Sequence, residues 1–215
     1  MSIPTLLDHI VIAGPDLAGV VDWFAERTGV IAAPGGAHPT GTANALVALT
    51  VDGVRGPQYI ELIGPNPDRA EPDLPATFGI SSLTAPRIQA YAVHPADIDG
   101  VVAAARARGF DPGDVSDLSR RTPSGELLEW RLTRGEHHRL DVPFLIDWGT
   151  TAQPGTSAIP ALELVSFTRV EPDPAPLRAV LGALGLGDGV AEVETGAESG
   201  YRLTLRRADG ALVEL

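Results

Sequence analysis

The feature that most constrains this chain is a helical stripe written three times. Leu17, Val20, Val21 and Phe24 stand at i, i+3, i+4 and i+7; Ile98, Val101, Val102 and Ala105 repeat the spacing 81 positions later, and Leu177, Val180, Leu181 and Leu184 repeat it again. Each quartet puts its side chains on one face of an α-helix. Each follows a strand-like apolar run and is followed by further strand-like runs, so a β-α-β-β-β order is predicted in triplicate. Such a unit exposes a sheet face and a helix stripe that only a neighbouring unit can cover. The fold class is therefore α+β, with repeated βαβββ modules packed against one another.

In the first copy, LDHIVIAG is too continuously apolar to face solvent and ends at Gly14 and Pro15, while Asp16 is a helix N-cap and Gly29 a stop. A short strand is expected near Val30 and Ile31, and ANALVALTV and PQYIELIG read as two more around a turn at Asp52 and Gly53. The second copy supplies RIQAYAV, a strand around Gly113 to Leu118, LLEWRLT and PFLIDWG. The third supplies LELVSFTRV, AEVET, YRLTLRR and ALVEL. Pro-rich segments 65–86 and 149–160 read as connectors. Residues 1–149 thus hold two modules, and 150–215 hold a third in the same compact unit. An odd module pairs either internally or with a second chain, which leaves a homodimer open.

Composition narrows the function. With 215 residues, 44% of them hydrophobic, the chain can bury a proper core. A net charge of −12 repels phosphate backbones and anionic lipid, so neither nucleic acid nor membrane is an expected partner, and no run of about 18 apolar residues is present. The N-terminus MSIPTLLD lacks the basic and apolar regions of a signal peptide, and a cytoplasmic protein is expected. Without cysteine, any metal must be held by His and carboxylate. GLGDG at Gly185 to Gly189 follows a helix rather than a strand, and GxxxxGKS/T, GxSxG and HExxH are absent. Dinucleotide, nucleotide-hydrolysis, serine-hydrolase and zinc-peptidase templates therefore fail.

Five blocks, LDHIVI (His9), GGAHPTGTAN (His38, Thr42, Asn44), YIELIG (Glu61), SRRTPSGELLEWRL (Arg120, Trp130) and PFLIDWG (Phe144, Asp147, Trp148), span roughly residues 6–149. With a histidine on the first strand and a glutamate on the last strand of a βαβββ unit, this set resembles the vicinal oxygen chelate superfamily, most closely its glyoxalase-like domain family. The resemblance implies modules that curl a mixed sheet, with helices packed outside, around a metal or small ligand. It implies an enzyme acting on a small carbonyl- or enol-forming substrate in a concave pocket, with lyase, isomerase and dioxygenase chemistry all open. The alternative it implies is a metal-free protein that binds and sequesters a small molecule.

His9 and Glu61 are the leading pair. Imidazole plus carboxylate makes half a site for a divalent first-row ion, and equally makes a buried histidine hydrogen-bonded to a core acid. The closing strands of the three copies read IEL, IDW and VEL, so Asp147 and Glu214 fall where Glu61 does. Those acids, or His38, are the weaker candidates to complete a metal site, whose many oxygens would favour manganese, iron or magnesium over zinc. Glu61 is also the candidate to move a proton. His38, Thr42 and Asn44 cluster donors and acceptors in a Gly-rich loop that suits an anionic or carbonyl group, or that merely turns the chain. Arg120 or Arg121 can clamp a carboxylate against apolar walls at Trp130, Phe144 and Trp148, unless TPSG simply turns a solvated hairpin. His137 and His138, in RGEHHRL, read as solvent-exposed, and His94 is a weak candidate.

Overall fold

The computed structural model describes residues 3–70, 73–134 and 139–215, so His137 and His138 lie outside the described residues. The first module is β1 (Leu7–Ala13), α1 (Leu17–Thr28), β2 (Ala33–Ala37), β3 (Thr42–Val51) and β4 (Val54–Pro65). The second is β5 (Arg87–Val93), α2 (Ile98–Ala107), β6 (Asp114–Arg121), β7 (Leu127–Arg134) and β8 (Phe144–Asp147). β9 (Ala161–Glu171), α3 (Ala175–Leu184), β10 (Glu192–Thr195), β11 (Gly200–Arg206) and β12 (Leu212–Glu214) follow in the same order.

Local chemistry sets the helix ends. The Asp16 and Asp97 carboxylates accept from the Gly19 and Gly100 amides at 2.6 and 2.9 Å, each satisfying one of the orphan donors of a helix start. Gly29 and Gly185 end α1 and α3 with φ of 76° and 71°, a conformation that favours glycine. The β3–β4 turn has positive φ at both Asp52 and Gly53, as a two-residue hairpin requires.

The described strands join one mixed sheet in the order β12-β11-β9-β3-β4-β1-β5-β8-β7-β6. The first two modules meet through their opening strands, β1 antiparallel to β5, and each opening strand runs parallel to its module's closing strand, β4 or β8. The outer edge of β3 is divided: β2 pairs with Ala43 to Leu46, and β9 pairs with Ala48 to Thr50. Alternation then separates two faces. Ile10 and Ile12 pack with Val20 and Phe24 of α1 and with Ile98 and Val102 of α2, while Val11 and Ala13 pack on the other face with Tyr59, Ala90, Trp130, Phe144 and Trp148. α3 covers α2 through Leu177, Leu181 and Leu184 against Ala105 and Val142. The helices lie outside, and the other face curls.

Two expectations need correction. β2 lies at Ala33–Ala37, not near Val30 and Ile31, and Ile31 is 72% exposed. Pairing with β3 decides the position, and only a strand of small residues fits: a Cβ on Gly35 would collide with the Asn44 side chain, and one on Gly36 would stand 2.5 Å from the Arg121 carbonyl. Glu214 is not equivalent to Glu61. Its strand β12 pairs with β11 rather than with its module's opening strand, and Glu214 is exposed, 3.8 Å from Arg202.

Candidate functional site

The curl brings β6 of the second module back against β2 of the first, and the concave face of the sheet holds a cavity of about 590 Å³. His9, His38, Thr42, Asn44, Tyr59 and Glu61 line it from the first module, and Arg120, Trp130, Phe144, Ile146 and Trp148 from the second. The register accounts for the polar floor. β1 and β4 run parallel with Val11 beside Glu61 and His9 beside Tyr59, and side chains alternate, so His9 and Glu61 share the concave face. The His9 ring stacks on Tyr59 at 4.6 Å and meets Phe144 edge-on at 5.3 Å.

Five polar side chains form a connected group. His38 Nδ1 pairs with the Thr42 hydroxyl at 2.9 Å, leaving Nε2 3.9 Å from Glu61 Oε1. Asn44 Nδ2 donates to the same Oε1 at 2.6 Å. His9 Nε2 faces the other oxygen, Oε2, at 3.8 Å. Burial lowers the His38 pKa from its ordinary value against the pull of Glu61, with Arg120 and His9 adding to the lowering, so this ring favours the neutral form.

Arg120 closes the opposite side. Alternation on β6 sends it inward, 6% exposed, while Arg121 points out and bonds the Gly125 carbonyl of its own hairpin. The Arg120 guanidinium donates to the Gly35 carbonyl at 2.6 Å and pairs with no carboxylate among the described residues. Burial pulls its pKa down, while Tyr59 and Glu61 raise it.

The remaining candidates are elsewhere. Asp147 pairs in register with Arg131, accepts from the Gly149 amide and stands 3.6 Å from the Arg131 guanidinium, outside the cavity, because Phe144 and Ile146 take the inward positions of β8. Glu214 is exposed at the far end of the sheet. His94 is half-buried, 3.9 Å from Asp8.

The donor set suits a divalent ion in kind but not in placement. Bonds of about 2.0–2.2 Å put neighbouring ligand atoms about 3.0–3.5 Å apart, whereas each imidazole Nε2 stands 3.8 or 3.9 Å from Glu61. Asn44 also occupies Oε1. The inward positions of β5 are Ala90 and Ala92, which offer no ligand. Among the described residues, no group of three or more His, Asp or Glu side chains is placed to hold a metal. The residues as they stand do not fit a bound ion.

Sequence reasoning missed several contributors. The first connector carries Phe78, which lines the cavity with φ of 52° and whose carbonyl accepts from Gln89 at 2.8 Å. Its signal was an aromatic residue beside glycine inside a Pro-rich segment. The second connector carries Gln153, and β1 carries Asp8; both bear on His9. Asp8 was legible in principle, because a charge inside an apolar strand demands partners.

A family model described as a glyoxalase-like domain matches residues 7–185. No curated protein matches the chain. A hypothetical protein from Staphylococcus aureus overlays with a TM-score of 0.58 at 16% identity, covering 97% of this chain and 97% of that one. Methylmalonyl-CoA epimerase from Mycobacterium tuberculosis overlays at 0.39 and 20% identity, covering 68% of this chain and 90% of the other. A xylose isomerase-like TIM barrel/4-hydroxyphenylpyruvate dioxygenase fusion protein overlays at 0.39 and 19% identity, covering 97% of this chain and 31% of that one. The first likeness is one of fold. Among the described residues no helix is long and apolar enough to cross a membrane.

Proposed function

This chain belongs to the glyoxalase-like domain family, and from that premise we propose that its cavity takes a small, mostly apolar molecule bearing one carboxylate or carbonyl group and moves a proton on the adjacent carbon. The observation that carries the reading is Arg120, a buried guanidinium lining the same cavity as Glu61 and hydrogen-bonded only to a carbonyl among the described residues. A desolvated cation is best compensated by an anionic oxygen in contact with it, and among the described residues no carboxylate lies within ion-pair distance of Arg120. Trp130, Phe144 and Trp148 would hold the apolar body.

The chemistry follows from the placement. A ligand oxygen held by Arg120 and the imidazole of His38 draws electrons from the neighbouring carbon and acidifies its C–H bond. The Glu61 carboxylate, with Oε2 free of hydrogen bonds among the described residues, accepts that proton and returns it. Return to a different atom of the enolised ligand gives isomerisation, and expulsion of a leaving group gives elimination. A second reading, sequestration without turnover, is favoured by the inward positions of the second module, where Ala90, Ala92, Phe144 and Ile146 make an apolar wall.

A thermal-shift panel of aromatic and aliphatic 2-oxo acids and arylacetates, with nucleotides and polyphosphates as controls, tests the ligand class. Stabilisation confined to the controls would refute it. Ligands that stabilise are then incubated in deuterated water. Exchange of the hydrogen beside the carbonyl, lost in Glu61→Gln while binding persists, identifies the enzyme; binding without exchange identifies the sequestering protein.

A further inference from the structure

Asp8 is fully buried, and the proposed chemistry does not use it. Next to His9 on one strand, it would ordinarily point to the opposite face. The ladder between β1 and β5 explains why it does not: Leu7 pairs with Val93 and His9 with Ala92, so two steps on β1 oppose one step on β5, and Asp8 is the extra residue of a β-bulge. Bulges re-aim side chains in this way. The carboxylate is turned alongside the histidine ring, and Oδ1 lies 2.6 Å from His9 Nδ1.

The second oxygen is held as firmly. The indole N–H of Trp148 donates to Oδ2 at 3.0 Å, and the side-chain amide of Gln153 donates to it at 2.5 Å. Gln153 belongs to the connector before β9, which is pressed onto β4: a Cβ on Gly155 would collide with the Pro57 carbonyl, and Arg55 donates to the Gly155, Ser157 and Ile159 carbonyls. A buried carboxylate with donors on both oxygens is compensated and fixed in orientation.

From these contacts we infer that Asp8 is a positioning residue, which fixes His9 as the Nδ1–H tautomer and thereby presents a bare Nε2 to the cavity beside Glu61. An ionised carboxylate only accepts, so the proton shared at 2.6 Å belongs to Nδ1. With the proton on Nδ1, the lone pair stands on Nε2, facing Glu61 Oε2 and the ligand space. His9 thereby becomes a second proton acceptor in the pocket, with Trp148 and Gln153 acting on it through Asp8. The inference rests on the cavity being the reacting site, but the tautomer is a property of the ligand-free protein and is read without any substrate.

The experiment is nitrogen–proton correlation NMR of uniformly ¹⁵N-labelled protein, with the His9 ring assigned by its loss in His9→Gln. Wild type should show His9 protonated at Nδ1 and unprotonated at Nε2; a proton on Nε2, alone or together with one on Nδ1, overturns the inference. In Asp8→Asn, the carbonyl should turn to the two donors, Trp148 and Gln153, leaving its amide facing Nδ1, so the proton should move to Nε2. Gln153→Ala removes one donor from Oδ2 but keeps the Asp8 carboxylate, and the Nδ1–H form should persist. A folded Asp8→Asn protein that keeps the Nδ1–H tautomer would overturn the positioning role. If that variant does not fold, the wild-type spectrum and Gln153→Ala decide.

Discussion

Arg120 and Gly35, 85 residues apart, meet in a 2.6 Å hydrogen bond that ties β6 of the second module to β2 of the first across the cavity. The same guanidinium is the proposed anion anchor. Hydrogen bonds to charged groups contribute about 1.5–3 kcal/mol, so Arg120→Gln should weaken a bound apolar carboxylate by about 10- to 100-fold. The corresponding neutral amide should lose far less. Calorimetric titration of acid and amide against both proteins distinguishes a specific anchor from general loosening, in which the two would lose equally.

The spacing at Glu61 leads to a second expectation. Protein purified without a His tag or chelator should carry no stoichiometric manganese, iron, magnesium or zinc, and adding these ions should not raise its melting temperature. Elemental analysis beside His9→Ala and Glu61→Gln checks this. One equivalent of metal in wild type, lost from both variants, would show that the side chains close around an ion and that metal-assisted chemistry applies.

His38 makes stability depend on pH. Its pKa is lowered from the ordinary 6.5 in the folded protein, so in the interval below that value the unfolded chain binds the proton more readily. Stability is then whole above pH 6.5 and declines as pH falls towards the lowered folded value. In His38→Gln that contribution is absent, and its melting temperature should fall less steeply with acidification. Parallel curves for the two proteins would show that His38 titrates alike in both states.

Removal of residues 161–215 should give insoluble or loosely packed protein. It strips β9 from Ala48 to Thr50 of β3 and uncovers Ala105 and Val142, which Leu177, Leu181 and Leu184 bury. Each such leucine contributes roughly 1.5–3 kcal/mol when buried, and an unpaired strand edge invites association. A monomeric fragment with an unchanged cooperative melt would show that the first two modules stand alone.

Periodicity made most of the fold legible, because helix stripes and alternating strands are local patterns: RIQAYAV is β5 residue for residue, and all three quartets lie on helices. What stayed hidden depends on which strands meet. Whether Arg120 or Arg121 enters the cavity is a matter of one residue of register. β2 could be located only from its pairing with β3, and Glu214 lost its apparent equivalence because β12 took a different neighbour. In the site, His9 and Glu61 are legible as polar residues inside apolar strands. Asp8 is as polar, but strict alternation places it on the wrong face, and a bulge is not visible without its partner strand.

The division of the cavity between modules has a stereochemical consequence. A cradle made from two copies of one unit would, if the copies were alike, offer a ligand two equivalent orientations related by a half-turn. Here His9, His38 and Glu61 come from one copy, while the Arg120 guanidinium and the apolar wall of Trp130, Phe144, Ile146 and Trp148 come from the other. That degeneracy is broken, so a molecule with one polar end has a single favourable way in. On the proposed reading, a proton delivered by Glu61 arrives from the carboxylate's side only, which would set the handedness of the product.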